Sequence, residues 1–115
     1  MRNTMKKTMS EETVTRSSGN VFADLGLPNP EERRRKAILA SRIGRTVSAR
    51  GLTQSAAARI ARVAQPDLSK MIRGQVSGFS LGKLFDVLVA LGNDVRVVVE
   101  ERKDHTAGGI HVELV

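Results

Sequence analysis

The 115-residue sequence predicts a mostly α protein, a bundle of four to five helices followed by a C-terminal β-strand. Three observations carry that prediction. Residues 52–74 hold two short helix signatures separated by a tight break, and residues 29–50 hold a longer amphipathic helix with a marked start. Residues 95–100, Val-Arg-Val-Val-Val-Glu, form a β-branched run after a Gly-Asn break. The length suits one domain better than two. The expected division is a disordered segment over residues 1–17, a helical domain over 18–92, and a strand and tail over 93–115.

The paired helices come first because the other elements serve them. Thr53 is a good N-cap, its side-chain oxygen placed to accept from a free amide of the following turn, and the alanine-rich residues 54–61 favour helix. Ala57, Ala58, Ala61 and Val63 are mostly small, which lets a second helix cross at short range. Pro66 is tolerated only in a first helical turn, so that second helix must begin near Ala64 or Gln65. Leu68, Met71 and Ile72 recur at three- and four-residue spacing on one face, Gln65, Asp67, Ser69, Lys70 and Arg73 lie off it, and Gly74 can close the helix. Two short helices joined by a tight turn, the second with polar side chains near its start, have the form of a helix-turn-helix.

Asn29-Pro30-Glu31-Glu32 is a helix start: Asn29 as N-cap, Pro30 in the first helical position, and two acidic residues at the positive end of the helix dipole. This helix is expected to reach about residue 50 and to stop at Gly51, burying Leu39, Ala40, Ile43 and Val47. Arg34, Arg35, Arg42 and Arg45 fall largely outside the stripe and are candidates for phosphate contacts. Upstream, Val21, Phe22, Leu25 and Leu27 suit one short docked turn of helix. Downstream, residues 75–79 read as a loop and Ser80 caps a helix over 81–91, with Leu81, Leu84, Phe85, Leu88, Val89 and Leu91 facing mostly inward before Gly92 ends it.

A strand over residues 95–100 needs a partner for its backbone groups. The favoured arrangement pairs it with its copy in a two-fold homodimer, through Val95, Val97, Val98 and Val99. Residues 110–115 offer the alternative of folding back across Ala107-Gly108-Gly109 as a hairpin.

The formal net charge is +7, and the basic excess lies between residues 31 and 92, whereas residues 93–115 carry more acidic than basic side chains. Basicity coinciding with the helix-turn-helix points to a polyanionic partner, since each phosphate neutralised releases condensed counterions. The absence of cysteine removes disulfides, thiolate metal sites and cysteine nucleophiles together, and fits a reducing cytoplasm. No apolar run approaches the roughly 18 residues of a membrane span. His105 and His111 stand in a polar tail without a ligand set, and Gly108-Gly109 lacks the lysine and helix of a phosphate loop. No catalytic residues, metal or cofactor are expected.

Leu52-Thr53-Gln54, Gln65-Pro66, Ser69 and Arg73-Gly74 resemble the helix-turn-helix of the Xre and Cro/phage-repressor superfamily. With Val21-Phe22-Ala23-Asp24-Leu25-Gly26 and Leu91-Gly92-Asn93-Asp94-Val95, the chain is similar to one branch of it, the small HigA-type antitoxins encoded beside RelE-like toxins, over roughly residues 18–100. One departure stands out: the turn position that is usually glycine in the superfamily is Arg62. If it takes a positive φ, the strain is about 1 kcal/mol.

The resemblance implies a lambda-repressor-like fold, double-stranded DNA as partner, and a nucleoid-associated cytoplasmic protein. It further implies an antitoxin that neutralises a RelE-like toxin and represses their shared operon. In the superfamily the residue matching Gln54 bonds a backbone phosphate, and Thr53, Arg73, Ser77 and Lys83 are expected to join it. Base reading falls to Gln65, Pro66, Asp67, Ser69 and Lys70: glutamine bonds bidentately to adenine, and lysine donates to guanine acceptors. Two other functions stay open, a stand-alone Xre-type repressor and a protein-interaction module without operator specificity.

Overall fold

The computed structural model describes residues 29–115. The expected disordered segment over 1–17 and the helical turn near Phe22 lie outside them. Almost all described residues belong to one compact unit, Arg33–Val115. Among the described residues four α-helices follow in order: α1, Pro30–Ala49; α2, Gln54–Ala61; α3, Gln65–Ile72; and α4, Leu81–Ala90.

Side chains start three of the four. Asn29 Oδ1 accepts from the amides of Glu31 and Glu32 at 2.9 and 3.3 Å. Thr53 Oγ1 accepts from Ala56 N at 3.0 Å, and Ser80 Oγ from Lys83 N at 3.0 Å. The start of α3 differs: Ala64 occupies the cap position without a side-chain bond, and its carbonyl accepts from the amides of Asp67 and Leu68.

All four helices stop in one way. Beyond each last turn a residue at positive φ lets two amides reach back to free carbonyls, in the pattern of a Schellman motif. After α1 it is Gly51 (φ 65), after α3 Gly74 (φ 81) and after α4 Gly92 (φ 106). After α2 it is Arg62, at φ 60 and ψ 43, with Arg62 N bonded to Arg59 O at 3.3 Å and Val63 N to Ala58 O at 3.0 Å. The arginine therefore occupies the left-handed region itself, a conformation that costs an L-residue about 1–2 kcal/mol.

The core is aliphatic. Leu39, Ile43 and Val47 of α1 meet Ala57 and Ala58 of α2, Leu68 and Met71 of α3, and Leu84, Val87 and Leu88 of α4, with Leu91. Ile43, Ala57, Leu68, Met71, Leu84 and Val87 have no exposed surface. A methyl group is all that Ala57 brings to the α2–α3 contact, which is what permits the close crossing. On α4 the inward set is corrected at two positions: Val87 is fully buried, and Val89, expected inward, is 55% exposed. Leu84, Val87, Leu88 and Leu91 keep the i, i+3, i+4, i+7 spacing, and Val89 falls outside that stripe.

The expected C-terminal β-strand is not seen. Residues 93–115 take no strand, and no β-ladder is present among the described residues. Val97, Val98 and Val99 are a continuous run with no alternation to define a buried face, and they stand 71, 69 and 91% exposed. Val95, the first residue of the expected strand, is half-buried against the protein's own core. The chain reverses at residues 102–105, earlier than the Ala107-Gly108-Gly109 loop, with His105 N bonded to Arg102 O at 3.2 Å and Asp104 Oδ1 accepting from both the amide and the hydroxyl of Thr106. Val112 then packs against the core, and Arg42 Nη2 donates to the Val115 carbonyl at 2.7 Å.

Candidate nucleic-acid interface

The sequence of α3 divides it into two faces. Leu68 and Met71 reach zero exposure, and burying two such side chains contributes about 2 kcal/mol each. That anchorage fixes the rotation of the helix and turns Gln65, Pro66 and Lys70 to solvent, with Asp67 and Ser69 half-buried at the margins. An eight-residue helix is about 12 Å long. The major groove of B-DNA is about 12 Å wide and admits one such helix.

The phosphate candidates surround this face in sequence and share its accessibility. Thr53 caps α2 and is exposed, and Gln54 is its first residue, half-buried. Ser77 is exposed in the loop after α3, and Lys83 is exposed in the first turn of α4. None of the ten predicted DNA-contacting residues is buried. Asp67, Lys70 and Ser77 line one concave surface together with Gln75, Gly78 and Phe79. Ser69 and Arg73 are joined by a hydrogen bond from Arg73 Nη1 to Ser69 Oγ. No side-chain hydrogen bond ties Thr53, Gln54 or Lys83 to either group among the described residues.

Two findings were not visible in the sequence. Gln75 returns to the surface beside α3: its Oε1 lies 3.5 Å from Arg73 Nη2, and nothing in the local pattern after Gly74 signals that return. Arg42 leaves the list of phosphate candidates, since its guanidinium is used internally, by Asn93 Oδ1 at 3.4 Å and by the Val115 carbonyl. Arg34 and Arg45 remain exposed on α1. Among the described residues no group of three or more metal-ligating side chains occurs, and no helix is long and apolar enough to cross a membrane.

The helix-turn-helix domain family matches residues 21–100, a stretch that includes all four helices. The chain belongs to that family. This helix-turn-helix protein is also similar to a solved structure that carries the name "Putative XRE Family Transcriptional Regulator", at 31% identity and a TM-score of 0.67, over 76% of this chain and 100% of the other. No curated protein matches it. A helix-turn-helix domain of this family is not an enzyme.

Proposed function

We propose that the protein is a DNA-binding transcriptional regulator that inserts α3 into the major groove. The observation that carries this reading is the division of α3: Leu68 and Met71 are sealed in the core while Gln65, Pro66 and Lys70 project to solvent. Gln65 and Lys70 read base edges, with Pro66, Asp67 and Ser69 beside them. Thr53, Gln54, Ser77 and Lys83 take backbone phosphates and fix the register. The solved relative named as a regulator of transcription and the net charge of +7 support the same partner.

Selection of duplexes from a randomised pool tests this directly. A defined sequence emerges, and its affinity falls with salt as expected for several neutralised phosphates, about 0.9 in log–log slope for each. Replacing Arg34 or Arg45 by alanine weakens selected and random duplexes alike and makes that slope shallower. A pool that emerges unenriched contradicts the proposal.

The finer reading is a homodimeric antitoxin of a RelE-like toxin that represses its own operon. Two observations support it: the resemblance of the segments around Phe22 and Leu91 to HigA-type antitoxins, and the exposure of Val97, Val98 and Val99 beyond the last helix. A second copy covering those valines would place two α3 helices on a two-fold site with half-sites about one helical turn apart. A dimeric mass in solution and co-purification with a RelE-like toxin encoded in the adjacent gene are the expected results. A monomer removes the dimer, and failure to bind that toxin leaves a stand-alone repressor.

A further inference from the structure

Asp67 is the one half-buried carboxylate among the described residues; every other aspartate and glutamate there is exposed. It also stands without a partner. The Asp104 carboxylate accepts from the amide and hydroxyl of Thr106, whereas no hydrogen bond or ion pair engages that of Asp67 among the described residues. The third position of α3 is the place from which a capping box returns to the Ala64 amide, and that bond is not made. Lys70, Gln75 and Ser77 line the same concave surface and each carries a donor, yet none is bonded to Asp67.

We infer that Asp67 is a specificity-determining residue, one that admits an amino base, adenine or cytosine, at one position of the major groove and excludes guanine and thymine there. The inference rests on the reading of α3 as the base-reading helix.

A carboxylate accepts hydrogen bonds and donates none. Base edges in the major groove offer only two donors, the N6 amino group of adenine and the N4 amino group of cytosine; guanine presents O6 and N7, and thymine O4 and a methyl group. Insertion of α3 strips water from a carboxylate that the protein itself does not pair. The charge must then meet a donor from the DNA or stay uncompensated, which is costly. An amino group answers that need, and a keto oxygen repels it. Each base pair displays one amino and one keto base in this groove, so the filter decides which strand carries which. Lys70, three residues on at the same edge of α3, only donates. Together the two side chains ask for a donor and an acceptor side by side, as adenine N6 stands beside N7 and cytosine N4 beside the O6 of its paired guanine. The filter acts only while Gln65 and Lys70 hold α3 in register over the bases.

The test uses the duplex that the wild-type protein selects from a randomised pool, together with every single-base-pair change of it. Affinities are measured by fluorescence anisotropy for wild type, Asp67→Asn and Asp67→Ala, with circular dichroism confirming that each is folded. In wild type, one position accepts A or C on one strand, and G or T there weakens binding about tenfold. Asp67→Asn, whose amide both accepts and donates, levels that position and leaves the ranking at the others unchanged. Asp67→Ala levels it as well, by weakening the amino duplexes and strengthening the keto ones. A carboxylate that only steadies the positive end of α3 alters stability and not base ranking, so a lower melting temperature with the ranking intact overturns the proposal. A gain by one factor on every duplex means that the charge acts on phosphates at a distance, and overturns it too. So does a levelled position at which wild type prefers G or T. In each of these cases base reading by Gln65 and Lys70 still stands, whereas a wild-type protein that binds all duplexes alike removes that reading and this proposal with it.

Discussion

Asn93 Nδ2 lies 3.1 Å from Thr46 Oγ1 and 3.3 Å from the Leu88 carbonyl, so one side-chain amide joins the end of α4 to the last turn of α1. Its Oδ1 accepts from Arg42 Nη1 at 3.4 Å, and Arg50 Nη1 donates to the neighbouring Leu91 carbonyl at 3.0 Å. These bonds close the side of the bundle formed by α1 and the end of α4 and leave the exposed face of α3 unobstructed. Asn93→Ala strands partly buried partners on two elements, and the expected loss is about 1–3 kcal/mol of unfolding free energy in denaturant titration. A change below about 0.5 kcal/mol would show that the clamp contributes nothing to stability.

Arg62→Gly is expected to stabilise the protein. The arginine holds φ 60, where glycine has no Cβ penalty, and relief of the strain is partly offset by the greater freedom of glycine in the unfolded chain. The net gain is about 0.5–1 kcal/mol, a rise of roughly 3–6 °C in melting temperature. Arg62→Ala keeps the left-handed backbone and gains nothing comparable, so the pair of variants separates backbone strain from the loss of a side chain.

Leu68→Ala should cost about 2–5 kcal/mol, because the side chain has no exposed surface and its removal leaves a cavity between α3 and the other helices. DNA affinity and melting temperature are expected to fall together. A variant that melts like wild type would show that α3 is not anchored through this residue.

The turn at residues 102–106 is expected to respond to acid. The Thr106 hydroxyl, and then its amide, hold the Asp104 carboxyl below its ordinary range. A carboxyl whose folded pKa is depressed contributes order that is present above its unfolded value, near 3.9, and is lost as pH falls through the lower folded value. The Thr106 amide resonance should therefore be constant from about pH 5 to 8 and shift below about pH 4. Thr106→Val, which removes the hydroxyl, moves the Asp104 titration back up.

Much of the architecture was legible because it is locally written. Asn29, Thr53 and Ser80 cap the helices assigned to them, Gly51, Gly74 and Gly92 stop them, and Leu39, Ile43, Val47, Leu68 and Met71 form the core stripe. The failures are long-range. A valine run has strand propensity wherever it occurs, but a strand forms only with a partner edge, and here Val95 and Val112 pack on the helical core instead. Nothing in the spacing of α1 separates Arg42, which holds Asn93 and Val115, from Arg45, which is exposed. The accessibility of the proposed DNA-facing residues follows from the α3 stripe, while the link from Arg73 to Gln75 depends on how the chain turns after Gly74.

The most direct measurement is the affinity of Gln65→Ala/Lys70→Ala for a selected duplex and for a scrambled one. Both side chains are exposed, so folding stability should stay within about 0.5 kcal/mol of wild type while preference for the selected sequence disappears and the remaining binding matches the scrambled duplex. A double variant that is folded and still discriminates between the two duplexes as wild type does would show that the exposed face of α3 is not what reads DNA.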